Sequence, residues 1–241
     1  MKMPIRIGVV GLGKIAQDEH IPAILSNPDF ELAFVVDRII RVDLAVPAYN
    51  SIEEAIGSGV RFDAISICTS PQVRFEICDR LSSTSAAILL EKPAASHYAL
   101  ATQINEKAAA QGLCVFAAWH SRFAAQIDAA KDWCEQKKKI VRGRIEWREN
   151  AEKWHPGQDW IWREGGFGVF DPGMNALSIL TEILPADWSV DSSHLEFPEK
   201  AETPSMARFK LASGNTLIDC IFEFHAHDDE VWKISLEAQD G

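Results

Sequence analysis

IRIGVVGLGKIA, Ile5 to Ala16, sets an apolar run directly ahead of a G-x-G-x-x-A pattern formed by Gly11, Gly13 and Ala16. Glycines at a strand-to-helix turn supply positive φ or close backbone approach, so a pyrophosphate can rest on the free N–H groups that open the next helix. Ala16 is small enough for that helix to pack on the strand. The pattern alone is common, but behind a strand, near the N-terminus and ahead of a second strand it reads as a dinucleotide cradle of Gly11, Gly13, Lys14 and Ile15. The second strand, Glu31 to Val36, ends at Asp37, 24 positions after Gly13. A carboxylate so placed binds the adenine-ribose 2′-hydroxyl and repels a 2′-phosphate, which favours NAD. Arg38 keeps NADP possible, because a guanidinium can hold that phosphate.

Outward from this turn, strand-like and helix-like segments alternate, the grammar of a parallel sheet with crossover helices. Further strands are expected at Phe62 to Cys68, Ala86 to Leu90 and Leu113 to Trp119, and Ile39 to Tyr49 reads as irregular. A helix is expected from Tyr98 to Gln111, with Ser96 as its cap and Gly112 as its stop, and another begins at Ser51, whose capping-box partner is Glu54. The fold class is therefore α/β, with an N-terminal Rossmann domain over residues 1–119 and a substrate-binding α+β domain over 120–241.

The second half reads differently. Arg122 to Lys138 is helical, Ile140 to Trp147 alternates as a strand, and Asp171 to Leu184 carries an apolar helical face. Met206 to Leu211, Thr216 to Phe224 and Val231 to Leu236 then read as successive hairpins around the turns Ser213-Gly214-Asn215 and His227-Asp228-Asp229. An open, mainly antiparallel sheet follows.

A net charge of −11 argues against nucleic acid and anionic membrane as partners. No apolar run has the length of a membrane span, and the N-terminus lacks a cleavage-like end, so a soluble cytoplasmic protein is expected. Five cysteines without a C-x-x-C pair read as reduced, buried thiols. His225 to Asp229 falls at an expected turn, and no metal is assigned to it. His20 caps or fills space as readily as it touches a cofactor.

Two short runs carry chemistry. Glu91-Lys92-Pro93 stands at the carboxyl end of a strand, where open α/β sheets bind ligands, and the proline keeps Lys92 extended. GGFGVFDPGMNALS, Gly165 to Ser178, places Asp171 and Asn175 four apart on one helix face. An ammonium, a carboxylate and an amide suit a polyhydroxylated substrate.

At these runs the chain resembles the Gfo/Idh/MocA oxidoreductases: in the GLGKIA turn, the strand-end acid, the Thr69-Ser70-Pro71 loop, the EKP run and G-G-x-G-x-x-D-x-G. FAAWHSRFA, KWHPGQDWIW and GGFGVFDPGMNALSILTEILP resemble its aldose 1-dehydrogenase branch, which acts on D-galactose and L-arabinose. Asn175 stands where most of the wider family has histidine, as expected of that branch. The resemblance implies oxidation of an aldose at C1 to the lactone, with D-galactose first and L-arabinose or D-fucose next, and with NAD or NADP taking the hydride. It implies Lys92 as the residue that polarises or deprotonates the C1 hydroxyl, with Asp171 as its partner or as the base itself. Asn175 then bonds sugar hydroxyls, with Glu149, His155 and His120 on the same wall, while Trp119, Trp154, Trp160 and Trp162 stack on the sugar or fill the core. Thr69, Ser70, Glu91 and Lys92 join the cofactor cradle.

The chain ends inside an apparent strand, where the family continues, so part of the second sheet is expected to be missing and an apolar face exposed. That face offers a route to a homo-oligomer. A non-catalytic dinucleotide or sugar sensor of the same fold, or a dehydrogenase for another sugar or inositol, is the alternative.

Overall fold

The computed structural model describes residues 3–39, 44–137, 139–225 and 229–240. The chain divides into two compact units, Met1–Ala118 and Trp119–Gly241.

In the first unit, β1 (Ile5–Val10) leads through a π-helical turn, Ala16–His20, into α1 (Ile21–Ser26) and then β2 (Phe30–Val36). There follow β3 (Ala48–Tyr49), α2 (Ile52–Gly57), β4 (Ala64–Ile67), α3 (Arg74–Leu81), β5 (Ala87–Glu91), α4 (Tyr98–Gln111) and β6 (Val115–Ala118). The strands pair in parallel in the order β3-β2-β1-β4-β5-β6. Their residues are apolar on both faces because helices cover both. Val10, Phe34, Ile65, Ile67 and Leu90 build one core, and Val9, Ala16, Ile24, Leu32 and Val35 the other. The order reverses between β1 and β4, the place where such sheets bind ligands.

Local chemistry sets the helix ends. Ser51 accepts the Glu54 N–H at 3.2 Å, while the Glu54 carboxylate returns to the Asn50 N–H at 2.9 Å. Gly112, at φ 67°, stops α4 as expected. Its N-cap, however, is His97, without a side-chain bond, and not Ser96.

The second unit holds α5 (Ile127–Gln136), β7 (Ile140–Asn150), α6 (Ala151–Trp154), α7 (Phe170–Ile183), β8 (Ser189–Glu196), β9 (Met206–Ser213), β10 (Thr216–His225) and β11 (Val231–Ala238). Its sheet runs β11-β7-β10-β9-β8, with β7 and β10 parallel and the other neighbours antiparallel. Ile145, Trp147, Ile218, Cys220, Phe222 and Phe224 alternate onto the face that α7 covers with Ala176 and Leu180. Each such side chain, fully buried, contributes about 1.5–3 kcal/mol. The helix comes close because Gly173 has no side chain: a Cβ there would lie 2.3 Å from the Phe222 ring.

Four expectations are corrected. The sheet is mixed, and its expected missing part is not missing: five strands are paired, the last running to Ala238. β11 does not extend a hairpin with β10 but pairs with β7, from Val231 against Arg148 to Ala238 against Ile140, which covers the edge that a meander would have left bare. The outward face is charged where apolar exposure was expected, with Glu146 paired to Arg144 and Arg148, Arg148 to Glu223 and Lys210 to Asp219. The helix expected from Arg122 is a 3-10 turn, His120–Phe123, followed by the shorter α5.

Candidate functional site

In the first unit the residues named from the sequence gather along the edge where β1, β2, β4 and β5 end. Gly11 follows β1 at φ 89°, and a Cβ on it would stand 2.8 Å from both the backbone nitrogen and Cγ2 of Thr69. Only glycine lets the turn cross the end of β4 there. Gly13 has nothing within 4 Å of its Cβ position, so the turn is open on that side. Asp37 is tied to the turn: Oδ2 accepts the Leu12 N–H at 2.7 Å and Oδ1 the Ile39 N–H at 3.0 Å. Each carboxylate oxygen keeps further acceptor capacity.

Thr69 Oγ1 is buried without a hydrogen-bond partner among the described residues. Buried hydroxyls are rarely left so, and this one lies against Gly11. Ser70 is half-buried beside it, Lys14 pairs with Asp18 one turn on, and Ile15 and Arg38 are exposed. An open glycine turn, an orphan hydroxyl and a strand-end acid with spare lone pairs fit a dinucleotide.

Glu91 ends β5 with its carboxylate turned into the protein. Oε1 lies 2.8 Å from His20 Nε2, and Oε2 accepts the Lys92 N–H at 3.0 Å. Lys92 itself is half-buried and its peptide to Pro93 is cis. Below this turn lies Arg74, 4% exposed, whose guanidinium donates to the carbonyls of Thr69, Glu91 and Pro93. It ties the loop after β4 to the EKP turn. No motif announced it, although an arginine in the first turn of a helix opposes the dipole and so signals another use.

In the second unit Asp171 lies in the first turn of α7, 3% exposed, with Oδ2 3.1 Å from His155 Nε2. Its place is set by the preceding glycines: Gly168, at φ 50°, leaves room for the Pro204 carbonyl, which a Cβ would meet at 2.2 Å. His155 follows α6, its ring edge-on to Trp160 and Phe224. Its Nδ1 lies 3.2 Å from Gln158 Oε1, which also accepts the Trp160 indole N–H at 3.0 Å. Indole only donates, so that Gln158 atom is the oxygen, and His155 Nδ1 must carry a hydrogen. The His155 ring is thus held between the Gln158 amide oxygen on one side and the buried Asp171 carboxyl on the other.

Glu149 is opposite Phe224 across the sheet, 8% exposed, and accepts the Trp147 indole N–H at 2.9 Å. Asn175 stands one turn after Asp171, half-buried, and its backbone carbonyl accepts from the Ser178 hydroxyl at 2.8 Å. His120 is exposed, its Nδ1 3.4 Å from Ser121 Oγ. Trp160 and Trp162 pack on the second core, whereas Trp154 is partly exposed and hydrogen-bonded to Glu230. Within this unit the structure thus brings Asp171, His155 and, through Phe224, Glu149 into one neighbourhood. Gln158 was missed by sequence reading; only its spacing of three from His155 hinted at the contact. Among the described residues no cluster of three or more His, Cys, Asp or Glu side chains is arranged to hold a metal. Residues 226–228 of the histidine-aspartate run lie outside the described residues.

Comparison with known proteins agrees with this architecture. Residues 5–119 match the Gfo/Idh/MocA oxidoreductase family, NAD-binding Rossmann fold. Over 239 residues the chain is 37% identical to galactose 1-dehydrogenase of Pseudomonas fluorescens, spanning 99% of this chain and 77% of that one. The crystal structure of D-galactose-1-dehydrogenase from Rhizobium etli superposes with a TM-score of 0.91 at 35% identity, over 100% of this chain and 78% of that one. The WlbA dehydrogenase of Bordetella pertussis, in complex with NADH and UDP-GlcNAcA, shares the fold at 16% identity, with a TM-score of 0.87 over 98% of this chain and 77% of that one. No helix among the described residues is long and apolar enough to cross a membrane. A Rossmann unit with its glycine turn and strand-end acid, joined to a mixed-sheet unit like that of the sugar dehydrogenases, places the chain in the Gfo/Idh/MocA family of NAD(P)-dependent oxidoreductases.

Proposed function

We propose that the protein oxidises a galactose-configured aldose at C1 to the lactone. The observation that carries the reading is the 3.1 Å contact between His155 Nε2 and the buried Asp171, because hemiacetal oxidation needs a group that takes a hydroxyl proton as hydride leaves. The relationship to galactose 1-dehydrogenase supports the sugar.

Gly11, Gly13, Asp37, Thr69 and Ser70 would hold the dinucleotide, with Lys14, Ile15 and Arg38 at its margin; when bound, the nicotinamide accepts the hydride. Asp37 favours NAD. Either Lys92 or Asp171 is assigned to take the proton of the C1 hydroxyl. Asn175 and Glu149 bond sugar hydroxyls, and His120 stands with them as a candidate. Glu91 acts through the backbone it holds, since its carboxylate is already engaged.

The test is formation of reduced nicotinamide from D-galactose, L-arabinose, D-fucose and D-glucose, with NAD and NADP supplied separately. Turnover of the galactose-configured sugars with NAD, lowered about 10²-fold or more but still measurable in Lys92→Ala, is expected. Turnover of inositol alone would replace the reading with another member of the family.

We also assign the outward sheet face to contact with a second copy, in a protein that works in the cytoplasm. Charges of both signs along that face support a self-complementary, salt-sensitive pairing. Light scattering at low and high salt reads it, and a monomer at both would remove it.

A further inference from the structure

One buried polar assembly in the first unit has no part in the reaction as described. His20 closes the π-helical turn behind the glycines, and such turns often mark functional places in helices. Its two ring nitrogens are both committed: Nε2 lies 2.8 Å from Glu91 Oε1 and Nδ1 2.8 Å from Ser66 Oγ. The His20 and Glu91 side chains are 12% and 8% exposed, and Ser66, inside β4, is 1% exposed. Ser66 Oγ in turn lies 3.6 Å from Cys68 Sγ. The remaining Glu91 oxygen accepts the N–H of Lys92. A line of hydrogen bonds therefore runs from β4 through His20 and Glu91 to the backbone of the lysine.

Burial opposes charge on His20, but the nearby Cys68 sulfur and the bond with Glu91 outweigh that and raise its pKa to about 10. Burial likewise penalises the Glu91 carboxylate, yet the bond from His20 and the charges of His20 and Lys92 leave its pKa lowered. The pair is ionised near neutrality. Buried ion pairs are poor sources of net stability, since apolar residues of the same volume often do as well. What a directed pair does supply is orientation, and this one ends on the residue that must be aimed.

We propose that His20 is a positioning residue for Lys92: by orienting the Glu91 carboxylate it fixes the backbone, and hence the direction of the amine, at the turn after β5. This rests on the assignment of Lys92 to the sugar hydroxyl. A histidine that only filled space would matter to stability and not to the lysine.

The test is a double-mutant cycle of His20→Leu and Lys92→Ala, read by kcat and KM for D-galactose and by NADH fluorescence titration. His20→Leu is expected to lower kcat at least about tenfold while NADH affinity changes less than about twofold, the scale expected of a misaimed group. In the Lys92→Ala background the same change should lower kcat no further. His20→Gln, which keeps one N–H for Glu91, should recover part of the loss and also serves if the leucine variant does not fold. A second readout does not depend on turnover: the acylation rate of each lysine by peptide mass spectrometry. His20→Leu and His20→Gln should change the rate at Lys92 by about threefold or more, with exposed Lys153 and Lys233 unaltered. Equal losses of kcat in both backgrounds, or unchanged Lys92 acylation in a folded His20 variant, would overturn the proposal. Full activity of Lys92→Ala would overturn the assignment beneath it, and the inference with it.

Discussion

His155 Nε2 stands 3.1 Å from Asp171 Oδ2 while the other ring nitrogen of His155 is held by Gln158, so the imidazole is fixed against the buried carboxyl. Asp171→Asn keeps the size and one hydrogen bond but cannot take a proton up. Sugar-dependent formation of NADH is expected to fall about 10²-fold or more, the usual worth of a positioned acid or base. NADH binding, measured by fluorescence, should not change. A variant that keeps its rate removes Asp171 from proton transfer.

Asp37 ties the glycine turn to the end of β2, and its proposed role is to bind a ribose hydroxyl. Asp37→Ser removes the negative charge and leaves the Leu12 N–H without its 2.7 Å acceptor. KM for NAD should rise about tenfold, equivalent to about 1.4 kcal/mol. The ratio of kcat/KM for NADP over NAD should rise with it. An unchanged ratio assigns cofactor choice to other residues.

The His20–Glu91 pair gives stability a particular pH dependence. The His20 pKa is raised from 6.5 to about 10, so its contribution is complete below pH 6.5 and fades as pH rises through about 10. The Glu91 pKa is lowered from 4.5, so its contribution is present above that value and is lost as pH falls through the folded one. Thermal melts of wild type against His20→Leu should differ most between pH 4.5 and 6.5 and converge progressively toward pH 10. A difference that stays flat across this range would mean that the pair is not ionised.

Gly173→Ala forces a methyl to within 2.3 Å of the Phe222 ring. Overpacking of this kind costs about 1–3 kcal/mol, read from urea unfolding. Phe222→Leu should recover part of that loss in the double variant although it is destabilising alone, a coupling expected only of residues in contact.

Thiol chemistry should separate the cysteines. Cys114 is exposed, whereas burial pushes the thiols of Cys78 and Cys220 up to about 12. A disulfide reagent should modify Cys114 first in the native protein and all five thiols after unfolding. Rapid loss of Cys78 or Cys220 would show that their surroundings open readily.

What the sequence made legible was whatever short spacing encodes. β1 was read to its exact bounds from a run of branched residues, and Gly112 announced the end of α4 by its chemistry alone. Asp37 and the EKP turn were placed because each follows a strand. Partnerships between distant residues were not legible: His20 meets Glu91 across 71 positions and Arg74 reaches Glu91 across 17, with no periodicity to betray either. β8 was missed because SVDSSHLE is exposed throughout and owes its extension to pairing with β9. β11 was seen, but its partner was not, since alternation reveals a strand and says nothing of its neighbour.

That choice of partner dictates an order of assembly. β7 lies between β10 and β11, so Arg142 waits for Leu217 and Arg148 for Val231 before either edge is covered. Closing such spans costs chain entropy before any contact repays it, whereas the β9–β10 hairpin closes locally. On the ribosome the described strands of the first unit are complete by Ala118, while Ile145 and Trp147 emerge early and stay unpaired until Cys220 and Phe222 have followed. The second unit therefore completes its sheet later than the first, and until Val231 has followed, β7 keeps one edge unpaired, open to association with another strand.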